Sequence, residues 1–279
     1  MPARRKNKTL TLGDIGSKIS QIKFNNIVYV ALLISVFISG YLYSQVQSLK
    51  KGTSATTTVV GTQTTPAAQP KLSLSKVKDD FKKSVIKFGD TNKKLTVIEV
   101  ADPSCPYCHI AGGHDPELNK QVGTQFTMTQ DGGTYDPPML EFKKLLDEGK
   151  ISFAYIYYPG HGNGEMGMKA LYCANEQGKF WDVHDLLMSN AGYNLMNNDV
   201  KNDTTKSQTV ADFLSQVIDP TFMKGCIDSG KYDTQLKTDS ATATDLQIQG
   251  TPGFYLNDTV YPGAYSYKDM EATVKSAGI

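Results

Sequence analysis

Cys105-Pro106-Tyr107-Cys108 sets two thiols one helical turn apart, a spacing at which one sulfur attacks a disulfide and the other resolves the mixed disulfide. If Cys105 begins a helix, the unpaired backbone N–H groups and the positive end of the helix dipole stabilise its thiolate. Pro106 suits the first helical position, because it has no N–H to lose and its φ is already helical. Cys105 is then the nucleophile and Cys108 the resolving thiol, with Pro106 and Tyr107 completing the candidate centre. Two other chemistries use the same residues. Cys105-x-x-Cys108-His109 also fits c-type haem attachment with His109 as axial ligand, and the four cysteines could hold a structural zinc. The strand before the motif and the later Thr251-Pro252 fit haem poorly, and no second C-x-x-C exists for zinc, so neither a metal nor a cofactor is expected. A Cys–His hydrolase needs one nucleophilic cysteine rather than a spaced pair.

The elements around the motif follow from periodicity. Leu95 to Ala101 is a short apolar run bounded by polar and Pro signals, which suits a buried strand running directly into the C-x-x-C. Ile151 to Tyr158 is a second strand. Helical spacing then recurs over 166–177, 180–189, 209–218, 220–230 and 233–246, with Gly, Asn or Pro between the segments. Phe254 to Leu256 and Val260-Tyr261 flank Asn257-Asp258-Thr259 as a hairpin, and 267–277 forms a final amphipathic helix. Strands on both sides of a helical block argue for an α/β domain carrying a second, helical lobe at about 163–246.

Four features resemble the DsbA-like branch of the thioredoxin superfamily. They are Glu99, six positions before Cys105; the run Asp102-Pro103-Ser104-Cys105-Pro106-Tyr107-Cys108; the segment from Cys173 to Trp181; and Gly250-Thr251-Pro252. The resemblance implies a thioredoxin fold with an inserted α-helical domain. It also implies that Pro252 follows Thr251 through a cis bond, faces the C-x-x-C and helps the backbone there to bind extended substrate. By the same carry-over Glu99 is a buried carboxylate that relays the proton of Cys108, with an edge or solvent-facing strand position as the lesser alternative. The chain departs from the family between Cys108 and Ile151, where Gly112-Gly113, Asp115-Pro116, Gly132-Gly133 and Asp136-Pro137-Pro138 predict a broken helix or a large loop. His114 is expected to be an exposed histidine of that loop, and His184 a residue of the lobe surface or the interlobe seam. His161, like His184, has no acid, serine or cysteine partner at a telling spacing.

Six Lys and Arg residues in 1–26 precede an uncharged apolar run from Ile27 to Tyr43. That run suits one uncleaved transmembrane helix (27–44), since it ends without a small-residue cleavage site, and the positive-inside rule puts residues 1–26 in the cytoplasm. Residues 45–71, rich in Thr, Ala and Pro, read as a flexible tether to the globular part, 72–279, outside the cytoplasm. In that compartment Cys173 and Cys226 are expected to form a structural disulfide, with two buried free thiols as the alternative. The 29 Lys and Arg against 28 Asp and Glu give a net charge of +1, which argues against a nucleic-acid partner. The expected activity is donation of the Cys105–Cys108 disulfide to reduced secreted or membrane proteins, and the resemblance implies re-oxidation by a quinone-linked membrane partner. A reductase or isomerase of the same fold, and a non-catalytic peptide-binding module, are the alternatives.

Overall fold

The computed structural model of the protein describes residues 72–279. The expected cytoplasmic segment, transmembrane helix and tether lie outside the described residues, and among the described residues no helix is long and apolar enough to cross a membrane.

Five strands form one sheet: β1 (Ile86–Phe88), β2 (Leu95–Ala101), β3 (Ile151–Tyr157), β4 (Gly253–Leu256) and β5 (Thr259–Pro262), in the order β1-β3-β2-β4-β5. β2 and β3 pair in parallel, and the other neighbours are antiparallel. Every residue of β2 and β3 is buried, which explains why both read as continuous apolar runs. On one face Ile98, Val100, Ala154 and Ile156 pack with Val77 and Phe81 of α1 (Leu74–Lys83) and with the end of the helical block. The opposite face carries Val97, Ala101, Phe153 and Tyr155, covered by further helices, and Cys105 and Cys108 pack on this side. Helices on both faces of a sheet with a parallel centre are the α/β arrangement expected.

The parallel crossover from β2 to β3 contains α2 (Pro106–Gly112), α3 (Pro116–Val122) and α4 (Pro138–Asp147). Gly113, at φ 75°, ends α2 in the left-handed region, and a Cβ there would lie 2.6 Å from Pro137. The helical lobe runs between β3 and β4 as α5 (Glu165–Glu176), α6 (Phe180–Leu187), α7 (Asn190–Asn194), a π-helical segment (Leu195–Val200), α8 (Ser207–Phe213), α9 (Pro220–Asp228) and α10 (Asp233–Asp245). The chain ends in α11 (Tyr267–Ser276). Cys173 of α5 and Cys226 of α9 are joined by a disulfide with Cα atoms 6.0 Å apart.

The sequence reading passed over α1, β1, α3 and α4. β1 has only three residues, too few to show a period. α3 and α4 each begin at a proline that was read as a loop signal, although Pro at the first helical position has no N–H to lose. The hairpin turn is Asn257-Asp258, with Thr259 already in β5 and Asn257 at φ 52°.

Candidate active site

Asp102 follows β2, and the chain turns there to begin α2 with Cys105 as its N-cap and Pro106 at the first helical position. Cys105 is 5% exposed and Cys108 1%, and both are free thiols. Thr251-Pro252 is a cis peptide, and the Cys105 thiol donates to the Thr251 carbonyl at 3.2 Å. The strand arrangement therefore brings residues 105 and 251 to one point. Tyr107 is 44% exposed beside them, with its ring edge-on to Phe126 at 5.8 Å. Phe126 in turn meets Tyr135 at 5.5 Å, so the long segment after α2 folds back as an aromatic ladder beneath Tyr107.

The two sulfurs differ in what surrounds them. A hydrogen bond from the Cys108 thiol is the largest influence on Cys105 and outweighs the cost of burial; Thr251 and the backbone N–H groups of Cys108 and Tyr107 act in the same direction. Together they bring the Cys105 thiol down to about 6. The Thr251 hydroxyl oxygen is buried without another partner and is free to donate to a thiolate. Burial pushes Cys108 in the opposite direction, well above the ordinary thiol value, and the neighbouring Cys105 and Glu99 add to it. Cys105 thus ionises first, and Cys108 stays a hydrogen-bond donor to it.

Glu99 is 1% exposed on the same sheet face, in register with Tyr155 of β3 and Phe254 of β4. The solvent-facing alternative for Glu99 is therefore corrected. Its Oε2 and the Tyr155 hydroxyl are both buried without partners. Burial alone pushes the Glu99 carboxyl up to about 8, so at neutral pH it is largely protonated.

Asp102, given no role by the sequence reading, organises the turn. Its Oδ1 accepts from the Ser104 N–H and hydroxyl at 2.8 and 2.7 Å, and its Oδ2 accepts from the backbone N–H groups of His161 and Gly162 at 2.8 and 3.2 Å. A Cβ at Gly164 would lie 1.8 Å from Oδ1, so glycine is required for the close approach. From the lobe, Asn197 in the π-helical segment donates to the Ser104 carbonyl at 3.0 Å. Sequence could have flagged Asp102 as a turn residue before the helix, but not its partners 59 and 60 positions away.

The four histidines take four different settings. His109 is fully buried, with Nδ1 3.0 Å from the Met188 carbonyl and Nε2 2.9 Å from the Pro103 carbonyl, so its ring anchors α2 to the lobe and does not face an open axial position. Burial holds its pKa down against both carbonyls, and a neutral ring donates to one of them. His184 is 1% exposed and packs against Phe180 and Trp181 of α6 and Tyr155 of β3, which is the interlobe setting of the two expected. His114 is half-buried and pairs with Asp185 at 3.1 Å. His161 is exposed and contributes only its backbone.

Two clefts adjoin β5, which pairs with the strand that follows the cis proline. One, of about 370 Å³, is lined by Gln249, Thr251, Pro252 and Val260; the other, of about 460 Å³, by Phe126, Tyr135, Tyr265 and Lys268, and they share Pro262 and Gly263.

A thioredoxin family model matches residues 140–276, which includes the cis proline and excludes the cysteine pair. Disulfide bond formation protein D of Bacillus subtilis is 24% identical over 195 residues, covering 67% of this chain and 74% of that protein. The crystal structure of oxidised BdbD from Bacillus subtilis superposes with a TM-score of 0.50 at 19% identity, covering 71% of this chain and 94% of that one. The thiol-disulfide exchange protein alpha-DsbA2 of Wolbachia pipientis gives 0.51 at 18% identity, covering 73% and 94%. These likenesses show a thioredoxin-like fold, and the chain is similar to DsbA-like thiol-disulfide exchange proteins. The pair of thiols that dithiol–disulfide exchange requires is present in this chain as Cys105 and Cys108.

Proposed function

We propose that the chain introduces disulfides into proteins outside the cytoplasm. The observation that carries this reading is the asymmetry at the cysteines: a stabilised Cys105 thiolate favours the reduced enzyme, and so makes its disulfide a strong oxidant. In the forward reaction a substrate thiolate attacks Cys105 Sγ of the Cys105–Cys108 disulfide. The S–S bond breaks, a substrate–Cys105 disulfide forms, and the electron pair leaves on Cys108. Protonated Glu99, on the same buried face, supplies the proton that this sulfur needs at its high pKa. A second substrate thiolate then attacks the substrate sulfur, and Cys105 departs as a thiolate; the substrate is oxidised by two electrons and the enzyme reduced. Re-oxidation falls to a membrane redox partner of the quinone-linked kind. The clefts beside Pro252 and Phe126 suit an extended substrate segment lying near the thiol.

A single-pass membrane setting with a cytoplasmic N-terminus rests on the basic residues before the apolar run at 27–44. The Cys173–Cys226 bridge supports a non-reducing compartment for residues 72–279. The test is to supply the oxidised full chain with a reduced model protein and to titrate the Cys105 thiolate by ultraviolet absorbance. Wild type is expected to oxidise the substrate and to titrate near pH 6, with Cys105→Ser folded and inactive. Full activity in Cys105→Ser, or titration near the free-thiol value of about 8.5, sinks the reading. A reduction potential close to about −270 mV rather than about −120 mV would instead select a reductase.

A further inference from the structure

The seam between α2 and the lobe contains a polar knot that includes neither cysteine of the Cys105–Cys108 pair. His114, in the loop after α2, points Nε2 at Asp185 Oδ1 across 3.1 Å. His184, beside Asp185 on α6, points Nδ1 at the same oxygen across 3.0 Å. Donor atoms of the three residues all lie within 4.8 Å of one another. We propose that His114, His184 and Asp185 bind one divalent cation of the zinc class, with solvent completing its coordination.

The donor set defines the class. Two imidazoles and one carboxylate suit Zn2+, Co2+ and their neighbours, whereas Mg2+ and Ca2+ take oxygen ligands. Tetrahedral zinc with bonds of about 2.0–2.1 Å separates its donors by about 3.3 Å, so the two His–Asp185 distances of 3.1 and 3.0 Å lie within a few tenths of an ångström of that geometry. The ligands are held in advance. His184 is wedged against Phe180, stacked at 5.6 Å, and edge-on to Trp181 at 5.5 Å, which fixes its ring direction. A metal needs neutral imidazole and ionised carboxylate, and the surroundings of His184 and Asp185 favour those forms. Burial lowers the His184 pKa. Burial would raise Asp185, but hydrogen bonds from His114 and His184 and the nearby rings outweigh it and hold the carboxyl below its usual range. The side chains of Asp185 and His114 are 46% and 28% exposed, which leaves an entry path and room for a water ligand. A cation here would fasten the loop after the active-site helix to the lobe without touching either cysteine pair.

The experiment uses the full chain in mild detergent with both cysteine pairs oxidised, so that no thiolate competes for metal. Zn2+ is titrated calorimetrically, and Co2+ is added separately for its visible d–d spectrum. One equivalent of Zn2+ is expected to bind and to raise the unfolding temperature. His114→Ala and Asp185→Asn, which alter partly exposed side chains, should each weaken binding at least about tenfold and abolish the Co2+ bands. Near-ultraviolet circular dichroism checks that both variants fold; should one not fold, the other decides. No binding up to about 1 mM, or wild-type affinity in a folded variant, overturns the site. Oxidation of a reduced model protein is scored in parallel, so failure of the metal site and failure of the disulfide-donor reading are separate results.

Discussion

Between Cys105 and Cys108 the chain creates two different thiols from the same side chain, and the cause is position. Cys105 collects donors from a helix start and from Cys108, whereas Cys108 is enclosed beside an acid. Glu99 carries the complementary half of this chemistry, and its raised pKa has a measurable cost. The folded state keeps a proton that the unfolded chain releases above about 4.5. Stability is therefore lost as pH rises from about 4.5 to about 8 and levels off beyond, with a total on the order of a few kcal/mol. Measured on the oxidised protein, where the cysteine pair does not titrate, Glu99→Gln is expected to flatten that slope and to raise the unfolding temperature at pH 7.5 relative to wild type. An unchanged slope would mean that Glu99 is not the titrating group. The same variant should slow exchange, since it has no proton to give to Cys108.

At the scale of elements, the end of β2, the start of α2 and the loop after β3 meet at one carboxylate. Asp102→Ala leaves the N–H groups of Ser104, His161 and Gly162 without their acceptor, and their combined cost is about 3 kcal/mol or more. Chemical denaturation is expected to show that loss together with slower oxidation of a model substrate, because the helix that activates Cys105 starts from this turn. Wild-type stability and rate would show that water replaces the carboxylate without penalty. The π-helical segment carrying Asn197 serves the same turn from the lobe side. No helical period in the sequence marks it, and its reason is visible only in the bond to the Ser104 carbonyl.

Across the molecule, the lobe is stapled by Cys173–Cys226, with 53 positions between the cysteines. Closing a loop of that length removes unfolded-state entropy worth about 4 kcal/mol in the chain model. The double variant Cys173→Ala/Cys226→Ala is expected to lose about 2–4 kcal/mol of unfolding free energy while the Cys105 titration stays near pH 6. A shift of that titration toward the free-thiol value would show that the staple tunes the redox centre as well as the lobe.

The C-x-x-C, the strand ahead of it, the helical block and the closing hairpin were legible from residue order because they depend on local signals: apolar runs, helical spacing, Pro at a helix start, a short turn. α4 was not legible, because Pro137-Pro138 at its start reads as a turn signal although Met139, Phe142 and Leu145 recur at helical spacing. The settings of Glu99, Asp102, His109 and His184 were not legible either, since each is decided by partners far away in sequence. Glu99 reads as a strand residue of either orientation until β3 and β4 close over it. Burial and hydrogen bonding are properties of the assembled sheet and lobe, and they decide which carboxyl keeps its proton and which thiol loses one. Sequence by itself determined that a redox pair starts a helix after a buried strand; tertiary structure alone decided how strongly its two sulfurs differ, because that difference comes from desolvation and from donors that folding brings together.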